Sequence, residues 1–135
     1  MTTIYKYIAI GLGGSIGAVL RVMAKQIDFP RILDIPVYNT LLVNLIGSFA
    51  LALFLGVALE VLNLGSEIRM GISTGLMGGL TTFSTLCKEV SLVFWSGSAM
   101  LAIFYLCLSI VLGLSFAYLG TTLSRLIAFR DEVRQ

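Results

Sequence analysis

Four long apolar stretches, separated by short polar ones, constrain the fold of this chain more than any other feature. They cover approximately residues 7–22, 37–61, 70–95 and 100–123. Each supplies about 20 residues, which an α-helix needs to cross the ~30 Å hydrocarbon core of a membrane. With 58% hydrophobic and 12% charged residues, the chain is also too apolar for an ordinary soluble domain. The sequence therefore predicts an all-α membrane protein with four transmembrane helices.

The loops and tails between these stretches are too short to form a second domain. Residues 1–135 are therefore expected to form a single four-helix transmembrane domain, with any functional site inside the membrane. Four helices leave little room for a pore among themselves, which favours an oligomer. The sequence has no histidine, and its two cysteines fall inside predicted spans, so neither a disulfide nor a cysteine site for a metal is expected. The net charge of +2 gives no reason to expect nucleic-acid binding.

The basic residues give a weak indication of orientation. Four spans would place both termini and the loop at residues 60–69 on one side of the membrane. That side carries the larger number of basic residues, Lys6, Arg69, Arg125, Arg130 and Arg134, against Lys25 and Arg31 on the other. The positive-inside rule then favours cytoplasmic termini. Because the excess is small, a fixed orientation and insertion in both orientations (dual topology) are both open.

The third apolar stretch contains a segment that is poorly suited to an uninterrupted helix. Residues 75–86 read Gly-Leu-Met-Gly-Gly-Leu-Thr-Thr-Phe-Ser-Thr-Leu, so that glycines are followed closely by hydroxyl side chains. A bilayer core offers no water, and broken backbone at that depth is tolerated only where protein or a polar cavity satisfies it. Unwound carbonyls and freed amides hold ions in membrane proteins. We therefore expect the third helix to break in the middle of the membrane, at a functional site.

Two polar residues lie on one face of the second stretch. Asn44 interrupts a run of leucine, valine and isoleucine, and an amide in hydrocarbon needs partners. Its NH2 group can donate two hydrogen bonds, which suits an anion, although a structural bond between helices explains it equally well. Thr40 lies one turn earlier on the same face and favours a polar path.

Other candidate residues are spread over the remaining stretches. Tyr105 and Ser109 share a face of the fourth span. Arg21 lies near the end of the first span, where it either extends to the membrane interface or provides positive potential at a pore mouth. Glu89 follows the broken segment and fits a wet vestibule. The ring of Phe83 either packs against lipid or protein, or directs its partly positive edge at an anion.

Several glycines recur at a spacing of four residues. These GxxxG pairs are Gly13 with Gly17, Gly71 with Gly75, and Gly75 with Gly79. Such pairs allow helices to approach closely in lipid. They are expected to support tight helix packing and a closely packed dimer.

Together these motifs resemble the bacterial CrcB/Fluc family of fluoride channels over nearly the whole chain. The third-span block is the most specific of them. The matching residues are Gly13-Gly14-Ser15-Ile16-Gly17 with Arg21; Thr40-Leu41-Leu42-Val43-Asn44-Leu45-Ile46-Gly47; Thr74-Gly75 and Gly78-Gly79-Leu80-Thr81-Thr82-Phe83-Ser84-Thr85; and Tyr105, Ser109 and Gly113.

The resemblance implies an assembly and a set of site residues. Members of the family are antiparallel dimers with two fluoride pores at the subunit interface. A structural sodium ion lies at the centre, held by main-chain carbonyls of the broken third helices, here those of Gly78 and Thr81. The vestibule residues would be Arg21 and Glu89. The pore would be lined by Asn44, Phe83, Thr40, Ser84, Thr85, Tyr105 and Ser109.

The implied function is a passive channel that lets fluoride leave the cell across the bacterial plasma (inner) membrane, and no enzymatic activity is expected. One departure is Leu86, where the family usually has a second phenylalanine. Leucine has no positive ring edge, so the chain either uses one aromatic residue, conducts less well, or pairs with a homologous subunit as a heterodimer. A non-conducting subunit is a further alternative. A small proton-coupled drug antiporter is disfavoured because the first, second and fourth spans have no interior carboxylate.

Overall fold

The described part of the chain is helical wherever it has regular structure. The computed structural model describes residues 2–26, 38–62 and 64–133. Arg31 and Arg134, two of the basic residues that indicate the membrane orientation, lie outside these ranges. The all-α class is confirmed for the described residues. The helices are α1 (Thr2–Gln26), α2 (Tyr38–Glu60), α3 (Ser66–Met70), a π-helical segment (Gly71–Met77), α4 (Gly78–Leu80), α5 (Phe83–Trp95) and α6 (Ala99–Glu132).

Three of these helices are long and apolar enough to cross a membrane. They are formed by Thr3–Gln26, Asn39–Glu60 and Ala99–Asp131, and they match the first, second and fourth predicted spans. The third predicted span is divided among α3, the π segment, α4 and α5. None of these pieces alone reaches about 20 residues. This stretch can cross a membrane only if its pieces act together.

α1 packs against the π segment and α4 through glycines, almost backbone to backbone. A Cβ atom at Gly13 or Gly17 would overlap the backbone of the π segment or α4, and one at Gly75 would lie 2.6 Å from a backbone oxygen of α1. The close approach expected of the GxxxG pairs is therefore found, but it is a contact within one chain. Only residues without a side chain permit it.

The other helices, α2, α5 and α6, enclose a small apolar core. Its buried members are Leu41 and Leu45 from α2, Leu86 from α5 and Tyr105 from α6. Half-buried side chains from α5 and α6 surround them, namely Val90, Leu106, Leu108, Leu112 and Phe116. The core holds the second half of the interrupted stretch against the two long helices that carry the candidate polar residues.

The outer surface of the described chain is strongly apolar. Large side chains such as those of Ile8, Leu12, Trp95 and Leu114 are exposed along the helices. An apolar surface of this extent is stable only against lipid or another protein chain. This agrees with a membrane protein.

Candidate functional site

The third stretch loses its helical conformation at two successive threonines. Thr81 (φ −75°, ψ 156°) and Thr82 (φ −148°, ψ 114°) have extended backbone between α4 and α5. The glycines before them, Gly75, Gly78 and Gly79, are helical, although the sequence made them the expected cause of the break. Two of these glycines serve the close contact with α1 instead. The interruption therefore comes after the glycines, where hydroxyl side chains begin.

Asn44 on α2 holds this interruption through two hydrogen bonds to one residue. The Thr82 backbone N–H donates to Asn44 Oδ1 at 2.8 Å, and Asn44 Nδ2 donates to the Thr82 carbonyl at 3.1 Å. The Thr82 N–H, which has no helical acceptor, is satisfied in this way, and the Thr82 carbonyl, the N-cap carbonyl of α5, gains a second donor. The described residues offer no acceptor for the second Nδ2 hydrogen. Asn44 thus has a structural role and keeps one donor for another partner.

The end of α4 presents carbonyl oxygens without hydrogen-bond donors. The Thr81 N–H donates to Met77 O at 2.9 Å and the Thr82 N–H to Asn44, so neither reaches Gly78. Among the described residues, no group donates to the carbonyls of Gly78 or Thr81. Gly78 is exposed, and a Cβ atom there would meet nothing within 4 Å. These two oxygens are therefore available to a cation or to a second chain.

Hydroxyl groups gather at the start of α5. Thr82 is its N-cap, and its Oγ1 accepts the Thr85 backbone N–H at 3.2 Å. The same oxygen lies 3.0 Å from Thr85 Oγ1 and 3.3 Å from Ser84 Oγ. Each hydroxyl both donates and accepts. The structure thus brings the predicted residues Ser84 and Thr85 together around Thr82, beside Asn44.

Glu89 connects the three helices of the core. Its Oε1 accepts a 2.6 Å hydrogen bond from the Thr40 hydroxyl on α2, and its Oε2 accepts one of 3.0 Å from the Tyr105 hydroxyl on α6. Thr40 is 2% exposed and Tyr105 3% exposed, while Glu89 is half-buried. The carboxylate thus links neighbouring helices, and its expected place at a vestibule stays a prediction.

The polar residues lie in pairs one turn apart on the three helices. Thr40 and Asn44 form such a pair on α2, and on α6 the Ser109 hydroxyl donates to the Tyr105 carbonyl at 2.8 Å. On α5 the equivalent spacing joins Thr85 and Glu89. Residues four apart share a helix face, so the Thr82 group and the Glu89 group are continuous along α2 and α5.

Two of the predicted residues lie apart from this group. Arg21 is half-buried near the end of α1 and forms no ion pair with any described residue. Phe83, the first residue of α5, is 73% exposed, so its ring lies on the outside of the single chain. By contrast Leu86, three residues later, is 6% exposed in the core. The two motif positions therefore face different surroundings in the single chain.

Thr82 is a residue of the candidate site that the sequence did not single out. In the sequence it is one hydroxyl residue among several, yet in the structure it is hydrogen-bonded to Asn44, caps α5 and bonds to two neighbouring hydroxyls. A threonine placed three residues before another polar residue at a helix start is typical of an N-cap. That signal was present in the sequence.

The family model described as "CrcB-like protein, Camphor Resistance (CrcB)" matches residues 8–121. This range contains every candidate site residue and ends within α6.

Curated relatives match over most of their length. A protein from Roseiflexus sp. named "Fluoride-specific ion channel FluC" is 41% identical over 127 residues, which cover 89% of this chain and 97% of the relative. One from Carboxydothermus hydrogenoformans named "Fluoride-specific ion channel FluC 2" is 35% identical over 118 residues, covering 87% and 86%. One from Syntrophotalea carbinolica with the FluC name is 38% identical over 116 residues, covering 86% and 94%.

Proposed function

Because the chain belongs to the family of CrcB-like proteins, as its sequence motifs indicated, we propose that it is a fluoride-specific ion channel. The relatives are named as channels and not as enzymes, in line with the expectation that no bond is made or broken. The observation that carries the proposal is the pair of hydrogen bonds between Asn44 and Thr82. They stabilise non-helical backbone beside free carbonyls and hydroxyls, the arrangement by which membrane proteins bind ions.

The proposed setting is the bacterial plasma membrane, crossed four times. α1, α2 and α6 have the length and hydropathy for three crossings. Residues 66–95 would make the fourth, with α3, the π segment and α4 on one side of Thr81 and α5 on the other. The similar lengths of these two parts support a position of the interruption near the middle of the bilayer. At that depth Thr82 would be without water, and Asn44 replaces it.

Fluoride is strongly hydrated, so a selective path must replace its water with fixed donors. The second amide hydrogen of Asn44 and the hydroxyls of Ser84 and Thr85 are the donors nearest to the interruption. Thr40 and Tyr105 now donate their single hydrogens to Glu89 and would have to turn them toward the ion. Ser109 continues the hydroxyls along α6. The exposed ring of Phe83 would add a partly positive edge.

We propose that the carbonyls of Gly78 and Thr81 hold a structural sodium ion. Main-chain oxygens of unwound segments suit this cation. Among the described residues there is no cluster of histidine, cysteine, aspartate or glutamate that would hold a different metal. Two oxygens are too few for one chain alone, so a second chain would complete the site. When bound, the ion would supply positive charge where two interruptions meet.

The proposed assembly is an antiparallel dimer with a fluoride path on each side of the interface. The exposed apolar surface, with Phe83 and Gly78 on it, is the support for a second chain. A homodimer would require insertion in both orientations. The alternative is a heterodimer with a homologous subunit, which Leu86 favours because it places a core leucine where the family has an aromatic residue.

Two other functions make different predictions. A partner-dependent or non-conducting subunit would fold and dimerise but carry no fluoride by itself. A proton-coupled drug antiporter would need a carboxylate that exchanges protons inside the membrane. Glu89 is the candidate for that role, and its two hydrogen bonds to Thr40 and Tyr105 favour a structural one.

The decisive experiment is fluoride efflux from liposomes that contain only this chain, with valinomycin to balance charge. We expect rapid fluoride efflux and no chloride efflux from identically prepared vesicles. Absence of fluoride efflux from a well-folded dimer, followed by its appearance on adding a homologous subunit, would support the partner-dependent alternative. Proton movement coupled to a drug would contradict the channel.

A further inference from the structure

A second residue of α2, Gly47, contacts the interruption one turn after Asn44. Gly47 is buried. A Cβ atom built on it would overlap the Cγ2 methyl group of Thr81, while it would lie 3.7 Å from the Thr81 Cβ, an ordinary contact distance. The space that the glycine leaves is therefore filled by a single methyl group of Thr81.

The Thr81 side chain cannot turn this methyl group away without losing a hydrogen bond. Its Oγ1 donates to Met77 O at 2.9 Å, and its backbone N–H donates to the same oxygen at 2.9 Å. Threonine is branched at Cβ, so the position of Oγ1 fixes the position of Cγ2. The methyl group is thus directed at Gly47 by a bond on the other side of the residue.

α2 therefore holds two successive residues of the interruption by different means. Asn44 fixes Thr82 through hydrogen bonds, and Gly47 receives the Thr81 methyl group through its shape. Between these contacts lies the Thr81 carbonyl, which accepts no hydrogen bond from the described residues. This carbonyl shares one planar peptide group with the Thr82 N–H, so the bond to Asn44 orients it from the Thr82 side, and the methyl contact with Gly47 holds it from the Thr81 side.

We infer that Gly47 is a positioning residue: by receiving the Thr81 methyl group, it sets the direction of the Thr81 carbonyl together with Asn44, which holds the other end of the same peptide group. The inference rests on the sodium site proposed above, to which that carbonyl would contribute. A methyl group at position 47 would either push α2 away from the interruption or rotate Thr81, and both movements displace the oxygen. The site would then bind sodium more weakly although Gly47 never touches the ion.

The chain offers a rescuing variant and a matched control. Thr81→Ser removes Cγ2, the atom in conflict, and keeps the hydroxyl that bonds to Met77. Gly56 is a comparable glycine further along α2, where a Cβ atom would overlap the side chain of buried Ser124 on α6. Gly56→Ala should therefore strain the packing of α2 at a site that is distant from the interruption. Ser124→Gly should relieve that strain.

The test is a sodium titration of the melting temperature of purified protein in detergent, because a bound ion stabilises the folded state once its concentration exceeds the dissociation constant. Fluoride efflux at each sodium concentration is the second measurement. The sodium midpoint is the concentration that gives half-maximal fluoride efflux, and it should agree with the concentration above which the melting temperature rises. For Gly47→Ala we expect this midpoint to increase roughly tenfold. Adding Thr81→Ser should restore most of the loss. Gly56→Ala should lower the melting temperature without moving the sodium midpoint.

Each outcome of these measurements either supports or overturns the proposed role of Gly47. An unchanged sodium midpoint in Gly47→Ala, or a shifted one that Thr81→Ser does not restore, overturns the role of Gly47. If Gly47→Ala fails to fold, the double variant is compared with Thr81→Ser alone; equal midpoints support the inference, and a double variant that also fails to fold overturns it. If the unmodified chain is not stabilised by sodium, the proposed sodium site is wrong and the inference falls with it.

Discussion

Asn44 and Thr82 are 38 positions apart in the sequence and exchange two hydrogen bonds, one in each direction. Two residues at a hydrogen-bonded position of an antiparallel β-ladder pair in the same way. The side-chain amide thereby supplies the acceptor that the Thr82 N–H lacks and a second donor to the Thr82 carbonyl. This pairing lets an interruption exist without leaving the Thr82 N–H unsatisfied. It also keeps a donor hydrogen of Asn44 beside the hydroxyls of α5.

Replacing Asn44 with alanine should destabilise the protein and abolish fluoride efflux. The buried Thr82 N–H would lose its acceptor, at a cost of about 1–3 kcal/mol, while the Thr82 carbonyl would keep the helical bond of an N-cap residue. The measurements are the melting temperature in detergent and efflux from liposomes. Asn44→Asp keeps an acceptor for the Thr82 N–H but no donor, so it should recover part of the stability and none of the efflux. Full efflux in Asn44→Ala would contradict both roles.

Replacing Phe83 with isoleucine should reduce fluoride efflux without affecting folding. The ring is 73% exposed on the single chain, so its loss removes little core packing. It does remove the aromatic edge, and we expect a loss of roughly tenfold or more. Phe104→Ile is the control, because Phe104 is also an exposed ring, on α6, and belongs to no motif. Equal efflux in the two variants would exclude Phe83 from the path.

Leu86→Phe should destabilise the chain and leave it no more conductive. From the sequence alone this change would preserve or increase efflux if Leu86 lined the path. In the structure Leu86 packs against Leu41, Leu45 and Tyr105, and overpacking such a core costs about 1–3 kcal/mol. Leu86→Met, which nearly conserves the side-chain volume, is the control and should change fluoride efflux and the melting temperature only slightly. Higher efflux with unchanged stability would show that position 86 borders the path in the assembly.

The variant Gly78→Ala tests the assembly of two chains without disturbing the fold of the single chain. A Cβ atom at Gly78 meets nothing within 4 Å, so the single chain should fold normally. If two interruptions meet at a shared ion, the added methyl groups would crowd there and weaken the dimer. Gly113→Ala on α6 is matched, since a Cβ atom there also meets nothing. The monomer–dimer equilibrium in detergent measures the effect, and equal behaviour of the two variants would count against the proposed contact.

Local patterns in the sequence predicted much of this arrangement. The four apolar stretches fixed the helical class, and glycines followed by hydroxyls located the non-helical backbone to within a few residues. The exact position could not be predicted, because Gly75, Gly78 and Gly79 are helical and the interruption occurs at Thr81 and Thr82. Closely spaced glycines can indicate either a weak point in a helix or a close contact between two helices. The sequence alone does not distinguish the two, because the difference depends on which helix packs against the glycines.

The contacts of Glu89 lay beyond sequence reasoning for a different reason. Its partners Thr40 and Tyr105 are 49 and 16 positions away, on helices whose mutual rotation no local pattern fixes. A charged residue near the end of an apolar stretch is most simply placed in water. The burial of Leu86 escaped prediction in the same way, because motif position says nothing about which side of a helix faces the core.

The close contact between α1 and the π segment limits the substitutions that this protein can accept. Backbone meets backbone there, so no neighbouring side chain can rearrange to accept a larger residue at Gly13 or Gly17. In a saturation mutagenesis experiment these positions should reject every substitution, and no second-site suppressor should arise among side chains. The exposed residues of α1 between them, such as Ile16, should accept almost any apolar replacement.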